Sequence, residues 1–393
     1  MKLANKLMRW FFVSSEAKYD NKVDNKILFS VFLLLGISII MVYSSSVAYA
    51  ASGARSQYYF LIRHVISIII GILIFFLVFN QPTAAIEKNA TKLTLIIMLL
   101  LGLVLIPHVG KVVNGSRRWI GLGSIGLQPS ELSKLGIVIY LSYYLSVKQL
   151  QLRRFFQDFG PVLLVMLIFM GLLLLEPDMG TTTVVFIIAL GMFYLSDTSR
   201  KFIAGLTVIG IIGFAFLVIV EPYRIRRFLG FMDPWSDALG KGYQLTHSLL
   251  AVGHGGWLGV GVGNSIEKLF YLPEAHTDFI LAIIAEETGV VGVLVILLLF
   301  WVIFYRGITV IAMEAKQLPR RKFQAFLAQG ISIWFLVQAL INIGVTMGIL
   351  PTKGLTLPFI SYGGSSIVIN FIALAILLKI DYENKELKRN IYS

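Results

Sequence analysis

Residues 272–280 read Leu-Pro-Glu-Ala-His-Thr-Asp-Phe-Ile and put Glu274, His276 and Asp278 directly ahead of an apolar run that continues to about Tyr305. A carboxylate in the first turn of a helix can serve only the helix dipole. Half-withdrawn from water at a membrane boundary, it can also hold a pKa suited to a general base. Asp278 is therefore the first candidate for chemistry, with His276 beside it.

A second stretch, residues 117–135, joins Arg117, Arg118 and Trp119 to a helix start at Pro129-Ser130, with Glu131 and Lys134 following. Glu131 suits the positive end of that helix and Lys134 does not. Three residues apart, the two share a face and can pair. This is either an interfacial salt bridge or a site in which Lys134 meets an anion and Glu131 holds it in place. Arg117 and Arg118 beside Trp119 also fit a membrane-interface anchor.

Three further stretches carry polar groups. Residues 350–366 hold Lys353 and the run Ser361-Tyr362-Gly363-Gly364-Ser365, whose amides and hydroxyls suit a phosphate. Glycines at 253, 255, 256, 259, 261 and 263 allow close backbone approach but form neither a P-loop nor a dinucleotide fingerprint. Glu176 and Asp178 could offer oxygen ligands to a hard cation, though two carboxylates alone do not make a metal site. His247 and His254 have no histidine or cysteine at ligand spacing, and the absence of cysteine excludes disulfide and thiol chemistry.

The elements that must position these groups are membrane helices. Hydrophobic residues make up 57% of the 393-residue chain and charged residues 14%, with a mean hydropathy of +0.81. A soluble domain is about one quarter charged. Ten apolar segments, at about 27–50, 58–79, 92–108, 131–148, 159–176, 179–196, 201–220, 279–305, 324–348 and 358–380, predict an all-α polytopic membrane protein of ten spans. The first segment is too long for a signal peptide and is expected to stay as a span.

The net charge of +13 has first a topological explanation, since Lys and Arg gather in cytoplasmic loops. Lys2, Lys6, Arg9, Lys18, Lys22 and Lys26 in the arm 1–26, Arg153, Arg154, Arg200, Lys201, Arg306 and Arg320–Lys322 in alternate loops, and Lys385, Lys388 and Arg389 in the tail 381–393 put both termini in the cytoplasm. The domains then run 27–220 for spans one to seven, 221–278 for a long outer loop, and 279–380 for spans eight to ten. Basic residues also sit on the outer face, at Lys111, Arg117, Arg118, Arg224, Arg226, Arg227, Lys241 and Lys268. An anionic headgroup or substrate outside is their natural counterpart; nucleic acid is not expected. The loop 221–278 is far longer than ordinary connections and contains an amphipathic stretch from Tyr243 through Gln244 to Val252, which predicts a structured, functional loop.

Taken together, "RRWIGLGSIGLQPSELSKL", "EPDMGT", "FMDPWSDALGKGYQLTHSLLAVGHGGWLGVGVGNS", "LPEAHTDFI" and "LPTKGLTLPFISYGGSS" resemble the SEDS family (shape, elongation, division and sporulation) from about Lys26 to Lys379, and its division branch (FtsW-like) more than its elongation branch (RodA-like). The resemblance implies ten spans and a peptidoglycan glycosyltransferase of the bacterial cytoplasmic (inner) membrane. The enzyme would polymerise lipid II outside that membrane, with a growing glycan on undecaprenyl pyrophosphate as donor. It implies Asp278 as catalytic residue, Glu131 and Lys134 as an acid and base of the fourth span, and Lys353 as a lysine of the last outer loop. Read from the residues themselves, Arg117, Arg118, Trp119, Arg224, Lys241, Gln244, His276 and Ser365 join Glu131, Lys134 and Lys353 as candidates for substrate binding. It also implies a class B penicillin-binding transpeptidase and other division proteins as partners, a divalent cation (Mg or Mn) as an option, and no organic cofactor. Phe270 departs from the pattern, since some division-type relatives carry glutamate there. Two rival functions remain open on the residues, a lipid II flippase and a non-catalytic division scaffold. A flippase needs ionisable groups near mid-span, and the candidates here cluster at the outer face instead.

Overall fold

The computed structural model describes residues 23–52, 56–113, 115–122, 125–148, 155–196 and 198–392. The arm before Val23, with five of its six basic residues, and Arg153 and Arg154 lie outside the described residues. Each of the ten apolar segments coincides with a helix. The first three are α1 (Asn25–Ser52), α2 (Tyr59–Phe79) and, after the short α3 (Thr83–Lys88), α4 (Ala90–Leu105). Next come α5 (Pro129–Val147), a short α6 (Phe155–Asp158), α7 (Gly160–Leu175), α8 (Met179–Leu195) and α9 (Arg200–Val220). The long loop contains α10 (Pro222–Met232) and α11 (Tyr243–Gly255). The chain closes with α12 (Ile280–Arg306), a π-helical turn (Gly307–Ala312), the short α13 (Met313–Gln317), α14 (Lys322–Thr346) and α15 (Gly364–Tyr392).

Among the described residues, α1, α2, α9, α12 with its continuation to Gln317, α14 and α15 are long and apolar enough to cross a membrane. Helices α4, α7 and α8 are apolar but only 16 or 17 residues long, and α5 is diluted by Ser, Glu and Lys.

Position in the bundle explains which helices tolerate polar residues. Helix α14 packs against α5, α8, α12 and the π-helical turn and is the most deeply buried of the six long spans, yet it is the least apolar of them. A helix that never meets lipid need not be hydrophobic all round. It can therefore carry Gln324, Gln329, Gln338 and Asn342 into the interior. Helix α9 is the opposite case: it has the highest hydropathy and only Phe202 among its residues is buried.

The all-α expectation needs one correction. Between α4 and α5 the chain forms a three-stranded antiparallel meander, β1 (Gly110–Val113), β2 (Ser116–Leu122) and β3 (Ile125–Leu127). Valine, isoleucine and tryptophan favour strands, and Gly115, at φ +76°, supplies the left-handed residue of the β1–β2 turn. The long loop 221–278 is structured, and its predicted amphipathic stretch is α11.

Helix α12 is broken at Gly289 (φ 70°, ψ −171°). The backbone groups freed by the break are taken up by the glycine-rich stretch after α11. Val260 N donates to Glu286 O at 3.0 Å and Gly261 N to Glu287 O at 3.1 Å. In return Val290 N and Val291 N donate to Gly256 O and Trp257 O at 3.0 and 3.2 Å. Interrupted helix in a membrane protein survives only with such partners. A Cβ at Gly289 would lie 2.3 Å from Trp257 O, and its dihedrals belong to a region that only glycine adopts readily. Gly289→Ala should therefore cost at least about 1–3 kcal/mol, seen as a lower melting temperature of the purified protein. Gly36→Ala, which adds a Cβ into open space, should leave that temperature unchanged.

Candidate active site

At the end of the bundle where the long loop lies, α2, α8, α9 and α15 and the neighbouring loops enclose a cavity of about 1730 Å³. Asp278 lies in its wall, one residue from the cap of α12. Its main chain is held from below by α14: Asn342 Nδ2 donates to Asp278 O at 3.0 Å and to Leu355 O at 2.7 Å. One turn earlier on α14, Gln338 Nε2 donates to Thr356 O at 2.7 Å. Two adjacent amides thus fasten both the loop that carries Asp278 and the loop that carries Lys353. The loops touch, since a Cβ at Gly354 would stand 2.8 Å from Asp278 Oδ2.

Burial pushes the Asp278 carboxyl up to about 7, and the charges of Glu274 and Asp178 push the same way. Arg227 and Arg118 pull against them. Burial brings the Lys353 ammonium down to about 8, opposed by Asp178; Lys353 Nζ donates to Thr183 Oγ1 at 2.8 Å and lies over the Phe214 ring. His276 is lowered by burial, against the pull of Glu274. Its ring packs among those of Phe60, Tyr49 and Tyr362, at centroid distances of 4.6, 5.4 and 5.6 Å.

The cavity wall also contains Arg118, Arg224 and Arg227. Arg118 reaches across from β2 and donates to Glu176 O and Pro177 O at 2.9 and 2.6 Å, capping the carbonyl end of α7 with a cation. Arg224 donates to Leu217 O, and Arg227 to Gln244 Oε1 at 3.4 Å. Trp119, Glu131, Gln244 and Ser365 complete the predicted residues that line the space. The Ser365 hydroxyl donates to Gly126 O and accepts from Gln128 N, joining the start of α15 to β3.

The sequence profile of the FtsW/RodA/SpoVE family, described as cell cycle protein, matches residues 25–386. The chain belongs to that family, the SEDS proteins. It is 47% identical over 371 residues to the probable peptidoglycan glycosyltransferase FtsW of Burkholderia thailandensis, covering 93% of this chain and 80% of that one. It is also 47% identical over 372 residues to the protein of the same name from Aromatoleum aromaticum, covering 94% and 90%. Among solved structures it resembles a chain of a peptidoglycan synthase complex that coordinates polymerisation and crosslinking (TM-score 0.75, 28% identity, 92% of this chain and 98% of that one). The rod-shape-determining protein RodA of Thermus thermophilus gives a TM-score of 0.67 at 25% identity, with 92% and 97% covered. A RodA-like helical fold of the SEDS family is thus established for this chain.

Three of the expected substrate-binding residues do not face the cavity. Arg117 and Arg118 are neighbours on a strand, and Arg117 points away, donating to Leu105 O at 3.1 Å. Lys241 is an exposed residue of the turn before α11. Lys134 is fully buried, with Nζ 2.9 Å from both Glu131 Oε2 and Gln338 Oε1 and over the Trp334 ring. The expected order is reversed, with Glu131 at the cavity and Lys134 beneath it. Lys134 sits one turn deeper on α5, and i,i+3 spacing alone does not say which partner is outermost.

Glu176 and Asp178 do not fit a cation site. Both Asp178 oxygens accept from Thr181, as the cap of α8. Glu176 is buried away from the cavity, and among the described residues no three metal-ligating side chains gather.

The sequence reading also missed Gln338, Asn342, Glu286 and Glu287. For Glu286 and Glu287 the signal was present, because ionisable residues inside otherwise apolar spans are functional hypotheses by default. Glu286 is fully buried and accepts from Ser265 Oγ, Ile266 N (3.0 Å), Glu267 N (3.3 Å) and His254 Nδ1 (2.9 Å). Glu287 accepts from Lys268 Nζ at 2.7 Å and Ser44 Oγ at 2.6 Å. These carboxylates anchor the chain at 265–268, from which the segment bearing Asp278 departs. Glu286→Gln, which trades an acceptor for a donor, should loosen that anchor by about 1–3 kcal/mol. Hydrogen exchange at the Ile266 and Glu267 amides should then quicken roughly 5- to 150-fold; unchanged exchange would contradict the role.

Proposed function

We propose that the chain, a peptidoglycan glycosyltransferase, polymerises lipid II into glycan strands at the outer face of the bacterial cytoplasmic membrane, for septal wall synthesis. Ten spans with both termini cytoplasmic place the long loop and the cavity outside. The observation that carries this reading is Asp278. It is one half-buried carboxylate at the boundary of a helix, in a cavity walled by Arg118, Arg224, Arg227 and Lys353.

The chemistry follows from those groups. The acceptor 4-hydroxyl oxygen attacks C1 of the donor sugar, the C1–O bond to pyrophosphate breaks, and the hydroxyl proton passes to Asp278. Undecaprenyl pyrophosphate departs as an anion. A glycosidase needs a second carboxyl as acid for a poor leaving group. Pyrophosphate leaves charged, so cations aimed at it take the acid's place. Glu131 faces the cavity as a hydrogen-bonding group for the sugars, with Lys134 holding it in position. A divalent cation, where one assists, arrives with the pyrophosphate and not on Glu176 and Asp178. A class B penicillin-binding transpeptidase and other division proteins are the proposed partners, in keeping with the synthase complex among the structural relatives.

The flippase reading has less support. Charges buried within the helices are tied in pairs, Glu131 with Lys134, Glu287 with Lys268 and Arg306 with Asp24, and such pairs do not make a polar route.

Asp278→Ala should abolish polymer formation from purified lipid II while the protein still inserts and melts normally. Ordinary glycan ladders on a gel from that variant would remove Asp278 from the mechanism. The two shifted groups set the pH profile. Asp278 works deprotonated, so kcat/KM should rise through about pH 7. Lys353 works protonated, so it should fall again above about pH 8. Lys353→Arg should move only the alkaline limb, and a profile flat from pH 6 to 9 would contradict both assignments.

A further inference from the structure

The cavity wall has two chemically different sides. On one, α2 contributes Arg63, Ile66, Ser67, Ile70 and Ile74, positions i, i+3, i+4, i+7 and i+11 of one helical face. This stripe runs for about 16 Å along the helix axis. Helix α15 lines the same side with Val368, Ile369 and Ile372. Below Arg63 the stripe carries no ionisable group, and Ile66 is half exposed. Above it stand Tyr49, Phe60, His276 and Tyr362, packed ring to ring. The other side comes from α9, α10 and the Lys353 loop. Phe214 and Val218 are apolar there, and Arg224, Arg227 and Lys353 stand above them. The two sides are separate parts of the bundle: α2 packs on α15 and α1, whereas α9 packs on α8 and α10.

Each side has the profile of a lipid-linked sugar phosphate, with an apolar run, then a cation, then polar or aromatic groups. Resting on the glycosyltransferase reading above, we infer that the cavity seats its two lipid-linked substrates on different walls, the acceptor lipid II along α2 and α15 and the donor strand along α9 and α10.

The assignment follows from where charge changes. The donor's pyrophosphate bond breaks, so its wall must hold the cations that meet a developing anion. Arg224, Arg227 and Lys353 stand on the α9–α10 wall. The acceptor keeps its pyrophosphate throughout, and Arg63 is the cation at the head of its groove. The acceptor's hydroxyl must reach the base, and Asp278 belongs to the same loop as His276 of the aromatic cluster. Aromatic faces there offer a surface for the C–H faces of a sugar ring. After transfer, the lengthened strand hangs on the acceptor's lipid along α2 and α15, and must change walls before the next round.

The test uses the full-length protein in proteoliposomes and two substrates. A lipid II methylated at its 4-hydroxyl can only donate, and unmodified lipid II accepts from it. Products that carry the methyl cap are counted by mass. Ile70→Trp, which fills the groove, and Tyr49→Leu should each raise KM for the acceptor at least about tenfold, with KM for the capped donor within about twofold of wild type. Arg224→Gln should do the reverse. Equal effects on both substrates, or effects on the donor alone from the α2-side changes, would overturn the assignment. Tyr49 is half exposed, so its variant carries the test if Ile70→Trp lowers the melting temperature. If wild type makes no capped product at all, the glycosyltransferase reading itself falls. Capped product from wild type with unaltered KM values in the variants overturns only the two-wall assignment.

Discussion

The side-chain amide of Asn342 donates both of its N–H groups to main-chain carbonyls of two loops that are distant in sequence, at Asp278 and at Leu355. A main-chain carbonyl withdrawn from water is costly to leave unpaired, so each bond helps fix a loop position. With Gln338 one turn away, it ties a potential base and a potential cation to the same rigid helix. Helix α14 can carry these amides because the other helices shield it from lipid. The most buried span is thus the least hydrophobic, and it is the one that sets the geometry of the cavity.

Burial then does opposite things to the two groups it positions. It raises the acid Asp278 and lowers the base Lys353, because an apolar surround disfavours whichever form is charged. The two meet in the range where a site must exchange protons near neutral pH. Arg118 and Arg227 oppose the shift of Asp278 without cancelling it. The same cations that restrain the base also face the place where a pyrophosphate would leave.

Much of this was legible in the sequence, and the reasons for the gaps are physical. Apolar runs of about 20 residues declare helices, and all ten did so here. Basic residues at Arg118, Arg224 and Arg227, on a face where the expected topology does not call for them, pointed to the cavity. The β-meander between α4 and α5 was hidden because strands this short leave little periodicity. Arg117 and Arg118 looked equivalent until the strand sent them to opposite sides. Glu286 and Glu287 were absorbed into an apolar run, and most of their partners lie at residues 265–268 of the long loop, whose fold no local pattern specifies. Asn342 was invisible as a site residue because its role depends on loops folding back over α14.

The most direct test of the account is the protonation of Asp278 itself. Infrared difference spectra of the reconstituted protein, wild type minus Asp278→Asn, should contain the C=O stretch of a protonated carboxyl that fades with a midpoint near pH 7. A midpoint near pH 4, the range of an ordinary solvated aspartate, would mean that Asp278 is not desolvated, and the case for it as a tuned base would fail.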